Sequence, residues 1–175
     1  MIFYRELSSN DVENLKDIDR SEQIDLIYEM QHGEIVEVAV GHECPSWNQE
    51  QLTELKARFQ FELNNGGKAY GAFDKELLVG FAVLAHQFRG ENQDQLQVDL
   101  MYVSRNYRRQ GIATRLMDEL SREAKKRGAK SLYISSTETE SAVNFYRSTG
   151  SVLTGEVDQE LFEREPKDIH MIRKL

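Results

Sequence analysis

The chain is poor in the residues that usually brace small proteins or bind metals: one cysteine, two prolines, one tryptophan and four histidines in 175 positions. A lone Cys44 excludes an intramolecular disulfide and a thiolate zinc site, and it fits a reducing cytoplasm. His32, His42, His86 and His170 lack metal-ligand spacing, so no metal is expected. No apolar run approaches membrane-spanning length, and Met1 to Glu6 lacks the basic head and apolar stretch of a signal peptide. A cytoplasmic protein without a membrane partner is expected. There are no repeats, no low-complexity segments and no linker. Residues 1–175 suffice for one core and are too few for two ordinary domains, which predicts a single domain.

What is abundant is charge, and its distribution says more than its sum. The net charge of −8 argues against nucleic acid as a partner. Residues 105–130 nevertheless hold nine Lys/Arg against three Asp/Glu, whereas residues 1–67 hold five basic and fourteen acidic side chains. The basic segment suits a polyanionic ligand, and the acidic one a cationic ligand. For most of these side chains a solvated surface is the simpler explanation. Arg108 and Arg109, beside a glycine turn, are better read as functional.

Ile2 to Leu7 reads as a strand, and Ser8 to Asp11 as the cap of a helix reaching about Ile18. A second helix is predicted from Ser21 to just before Gly33, with Ile24, Ile27 and Tyr28 on one face. Glu34 to Val40 alternates as a strand, and Asn48 caps a helix that ends at Asn64-Asn65-Gly66-Gly67. From Lys68 the pattern turns to strands: Ala69 to Phe73, Leu77 to His86 and Gln95 to Val103. A helix from Gly111 to Arg127 follows, then a strand from Ser131 to Ser135 and a helix from Glu138 to Thr149. Val152 to Val157 and Asp168 to Arg173 form a closing pair. This order predicts an α/β (α+β mixed) fold with a mixed sheet and helices on both faces.

The most informative stretch is Arg108-Arg109-Gln110-Gly111-Ile112-Ala113, where the strand pattern gives way to an amphipathic helix. Such a turn aims unpaired N–H groups at one spot, which should hold an anion. Gly111 lets a phosphate approach closely, and a side chain larger than Ala113 would crowd it. No Gly-Lys-Ser/Thr follows, so a P-loop is excluded, and a single glycine does not make a dinucleotide fingerprint.

In this register the turn resembles the acetyl-CoA pyrophosphate loop of the GNAT superfamily of N-acetyltransferases. A second segment, Thr139 to Gly150, resembles the GNAT stretch in which Asn-x-x-Ala-x-x-Phe-Tyr leads to Gly-Phe, and it lies one helix and one strand beyond the loop. The resemblance covers about Leu77 to Leu175. It implies a mostly antiparallel sheet of six to seven strands with splayed central strands, and acetyl-CoA as co-substrate. Residues 1–67 would form the acceptor-side half and 68–175 the acetyl-CoA-binding half. Met101, Tyr102 and Val103 would pair with the pantetheine arm. Arg108, Arg109, Gln110, Gly111, Ile112, Ala113 and Thr114 would wrap the pyrophosphate, with Thr139 and Asn144 as further cofactor contacts. Tyr146 would protonate the departing thiolate, a phenol of pKa about 10 being well matched to a thiol of about 8.5.

The base that deprotonates the amine is Asp99 or, alternatively, Glu138 or Glu140. Strand alternation places Gln97, Asp99 and Met101 on one face. An aspartate needs a raised pKa or an intervening water for this task. An aspartate held structurally by an arginine fits the position equally well. Arg105, Thr139 and Ser151 depart from the family pattern, in which proline, asparagine and an aromatic residue are usual. Trp47 could wall an acceptor pocket or pack under a loop, and Cys44 has no visible base partner. The resulting expectation is an N-acetyltransferase for a small cationic amine, such as a polyamine or an aminoglycoside-like compound. A peptide amine is the alternative acceptor, a non-catalytic acyl-CoA-binding module is the alternative class, and the reading leaves room for a homodimer.

Overall fold

A computed structural model describes residues 1–175. The chain runs β1 (Ile2–Leu7), a 3-10 segment (Ser9–Asp17), β2 (Glu22–Gln31), β3 (Glu34–Cys44), α1 (Gln49–Asn64), β4 (Lys68–Asp74), β5 (Leu77–Arg89) and β6 (Gln95–Val103). It continues through α2 (Ile112–Lys126), β7 (Ser131–Ser136), α3 (Glu140–Ser148), β8 (Val152–Leu153), α4 (Gln159–Arg164) and β9 (Ile169–Lys174). Seven strands form one sheet in the order β1-β4-β5-β6-β7-β9-β8, antiparallel except between β6 and β7. The sequence expectation of a mixed sheet with splayed central strands holds. No helix is long and apolar enough to cross a membrane.

Two apolar clusters sit on opposite faces of this sheet. One gathers Leu55 and Phe59 of α1, Leu15 of the 3-10 segment, and Phe81, Val83 and Leu100. The other gathers Leu116 and Leu120 of α2, Val143 and Tyr146 of α3, and Val79, Leu96 and Val98. The predicted caps are realised: the Ser8 side chain accepts from Asn10 and the Asn48 side chain accepts from Gln51, each in a reciprocal capping box.

The helix predicted from Ser21 is a strand. β2 and β3 form a separate antiparallel hairpin, closed by His32 and Gly33 at φ 52° and 79°. Two left-handed residues in a two-residue loop match the right-handed twist of the flanking strands, so the turn favours a hairpin. Ile24, Leu26, Tyr28 and Met30 also recur at a spacing of two, and Met30 lies opposite Ile35 in the ladder. The hairpin docks through Tyr28, whose N–H donates to the carbonyl of Glu138 at 2.8 Å and whose hydroxyl donates to Asn144 Oδ1 at 3.3 Å.

Candidate active site

β6 and β7 pair only through Gln95–Gln97 and Ser131–Tyr133. Beyond Gln97 they part, and the gap opens into a cleft of about 590 Å³ lined from one side by Arg58 and from the other by Ala142 and Tyr146. Met101 and Tyr102 line it on the β6 side. This is an unpaired strand edge, able to take an extended ligand as a neighbouring strand would.

At the end of β6 the chain turns into α2. Arg109 and Gly111 both take left-handed φ, 63° and 83°, and Gly111 is the N-cap. The first intrahelical bond of α2 runs from Arg115 N to Gly111 O, and the N–H groups of Gln110 to Thr114 find no acceptor in the protein. No atom outside the local chain lies within 4 Å of a Cβ built on Gly111. Unpaired donors at a helix N-terminus, facing open space, fit the pyrophosphate of acetyl-CoA.

The two arginines divide in a way the sequence did not reveal. Arg108 donates to the carbonyls of Val103 (2.9 Å), Ser21 (2.8 Å) and Asp19 (3.3 Å). Its guanidinium is thus committed to the fold, and what it leaves for a phosphate is backbone. Arg109 is exposed and free of ion pairs. Arg105 continues the clamp, pairing with Glu43 and donating its N–H to Asp19 O at 2.9 Å.

Tyr146 lines the β6–β7 cleft and is 8% exposed. Its hydroxyl meets no partner, and burial pushes the phenol well above its ordinary pKa, so it keeps its proton at any working pH. Thr139 caps α3, accepting from Ala142 N at 3.4 Å, and Asn144 holds Tyr28. Trp47 packs edge-on against Tyr102 with ring centroids 4.9 Å apart, which makes it a packing aromatic on the α1 face.

Asp99 does not share a face with Met101. The register between β5 and β6 slips between Val83↔Leu100 and Leu84↔Val98, leaving Asp99 as the extra residue of a bulge. Its side chain, 6% exposed, turns to α1 and accepts from Arg58 through both oxygens, at 3.0 Å (Nε to Oδ2) and 2.7 Å (Nη2 to Oδ1). Met101 packs into the cluster on the opposite face.

Sequence reasoning missed Asp168, which immediately precedes β9. Its Oδ2 accepts from Ser135 Oγ at 2.8 Å. Burial, opposed by that hydrogen bond and reinforced by Glu165 and Glu138, pushes its carboxyl up to about 7. Asp168 and Glu138 also line a second cleft of about 550 Å³ beneath the hairpin, walled by Tyr28, Met30, Val157 and Phe162. The acidic lining of that cleft, Glu29, Glu138 and Asp168, faces a single Lys167.

With this geometry in view, residues 34–150 match the family model described as Acetyltransferase (GNAT) family. No curated protein matches the sequence. Among solved structures, a nourseothricin acetyltransferase superposes with a TM-score of 0.75 at 21% identity, over 99% of this chain and 98% of that one. A protein assigned as a streptothricin acetyltransferase from Bacillus anthracis str. Ames, in complex with acetyl coenzyme A, gives 0.75 at 21% identity over 100% and 99%. The ribosomal-protein-S18-alanine N-acetyltransferase of Escherichia coli gives 0.62 at 16% identity over 99% and 94%. At these identities the likeness is one of fold, while the family match spans both the loop and the tyrosine segment. The chain belongs to the GNAT family and is an acetyl-CoA-dependent acetyltransferase.

Proposed function

We propose that this enzyme N-acetylates a small polycationic amine, with a streptothricin-like or aminoglycoside-like compound or a polyamine as acceptor. The observation that carries this reading is the cleft beneath the hairpin. It opens beside the β6–β7 gap, and its carboxylates outnumber its single lysine. An acidic cleft concentrates a multivalent cation and has less to offer a singly charged peptide terminus. Two of the structural neighbours are a nourseothricin acetyltransferase and a protein assigned as a streptothricin acetyltransferase, which supports a small acceptor, and the Escherichia coli neighbour modifies a protein. Residues 1–67 contribute the hairpin, in keeping with an acceptor-side half. The single thiol, Cys44, accords with a reducing cytoplasm.

Acetyl-CoA supplies an activated acetyl thioester. Gln110 to Thr114 hold the pyrophosphate through backbone N–H groups, and the free edge at Met101 and Tyr102 orients the pantetheine arm. Tyr146 donates a proton to the leaving sulfur, and its unpartnered hydroxyl is what carries that assignment. Asp99 positions α1 through Arg58. The experiment is a thiol-release assay with streptothricin, kanamycin, spermidine and an alanine-terminated peptide. The polycations are expected to give the higher kcat/KM, falling with added salt. A preference for the peptide would transfer the reading to protein acceptors.

A further inference from the structure

Two clefts meet at two carboxylates, Glu138 and Asp168, that the reaction above leaves without a task. Asp168 lines both the β6–β7 gap, where Tyr146 stands, and the cavity beneath the hairpin. Ser135 holds its Oδ2, its own N–H donates to Glu165 O at 3.0 Å, and its Oδ1 meets no donor in the protein. The carboxyl is therefore fixed on one side and open on the other. We infer that Asp168 is the general base, taking the proton of an acceptor ammonium that enters from the hairpin cleft. The inference rests on the acetyltransfer reading.

The rival carboxylates are less suited. Both oxygens of Asp99 are bound to Arg58, and Glu140 is exposed at the start of α3. Glu138 shares both clefts, but no residue fixes its carboxylate. The charged groups around Asp168 are Glu138 just after β7, Arg164 and Glu165 at the end of α4, and Arg58 from α1; Tyr146 faces it from α3 and Tyr102 from β6, and Lys167 and His170 flank it in the chain. Their balance, dominated by burial, leaves a carboxyl that titrates near 7, close to the pH at which a base is most effective.

The protons balance as follows. Asp168 takes one proton from R–NH3+, and the freed nitrogen lone pair forms the C–N bond as the thioester C–S bond breaks. Tyr146 gives its proton to the sulfur and is refilled by the second proton lost from nitrogen. Asp168 then releases its proton to solvent, so each turnover yields the amide, the free thiol and one H+.

The test compares wild type with Asp168→Asn, Asp168→Glu and Glu138→Gln, using streptothricin, kanamycin and spermidine as acceptors. Wild-type kcat/KM should rise through a pKa near 7. Asp168→Asn should lose that limb and fall on the order of 10²–10⁴-fold, with acetyl-CoA affinity by calorimetry unchanged within about twofold. Asp168→Glu should restore part of the rate. Glu138→Gln should move the limb to lower pH by removing a like charge, without abolishing it.

A second readout needs no turnover. A carboxyl raised in the folded state binds an extra proton between about pH 4 and about 7, so wild-type stability should fall across that window relative to Asp168→Asn and run parallel to it below. An unchanged pH profile in Asp168→Asn, or a Tm difference independent of pH, overturns the inference and leaves the acetyltransferase reading standing. A wild type that acetylates none of the three amines overturns the proposed acceptor class, and the inference with it.

Discussion

Arg108 folds its guanidinium back onto the carbonyl of Val103, 2.9 Å away, and so ties the end of β6 to the turn that opens α2. The same side chain reaches two carbonyls in the segment between the 3-10 helix and β2. Hydrogen bonds from a charged donor contribute about 1.5–3 kcal/mol each when lost from a partly buried site, and this side chain is 27% exposed. Arg108→Ala is therefore expected to lower Tm by several degrees, at a cost of about 2 kcal/mol. Arg109→Ala should leave Tm unchanged and raise the Kd for acetyl-CoA several-fold at low salt, an effect that fades as salt screens the exposed charge. Thermal denaturation and calorimetry at two ionic strengths separate the two roles.

Gly111 joins two requirements, a left-handed φ of 83° and empty space where a side chain would stand. For Gly111→Ala the backbone cost is about 1–2 kcal/mol. Gly111→Leu pays the same backbone cost and also fills the space that a phosphate needs. A ladder of Ala, Met and Leu should therefore show nearly constant stability and progressively weaker acetyl-CoA binding, with at least tenfold between Ala and Leu. Binding that tracks stability across the ladder would assign Gly111 to folding alone.

The sequence made much of this visible because the informative patterns are local. The turn at Arg108 to Ala113, the amphipathic α2 and the capped α1 depend on residues within a few positions of one another. The segment from Glu22 to Gln31 carries both a helical and a strand spacing of apolar residues, and the deciding signal lies just outside it, in His32-Gly33 and the β-branched run of Ile35, Val36, Val38 and Val40. α4 carries a local signal of its own: Asp158 accepts from Leu161 N at 3.1 Å, an ordinary helix cap. The bulge at Asp99 and the burial of Asp168 were not legible. Each arises from how distant strands meet, and no composition or period near either residue records it.

Tyr146 sits in the apolar cluster beneath α3, with its ring against Phe145 at 5.1 Å and its hydroxyl unpartnered. Tyr146→Phe keeps the ring and removes only the donor. Stability and acetyl-CoA affinity should be preserved, while kcat falls on the order of 10²-fold. Stopped-flow measurement of the single-turnover rate places the loss in the chemical step if the phenol is the acid. An unaltered single-turnover rate would make Tyr146 a packing residue.

The Asp99–Arg58 pair is asymmetric, and the asymmetry distinguishes a positioning role from a catalytic one. Asp99 is 6% exposed and Arg58 is 48% exposed, so removing the arginine strands a buried carboxylate, whereas removing the carboxylate leaves a guanidinium that water can reach. Arg58→Met should cost about 1–3 kcal/mol at pH 7. Asp99→Asn should cost less. It should lower kcat/KM by the same factor at every pH, because the distortion of α1 it causes has no titrating group in it. If Asp99→Asn instead erased the acid limb while Asp168→Asn kept it, the base would be the bulge residue, and the Arg58 pair would have to open when the acceptor binds.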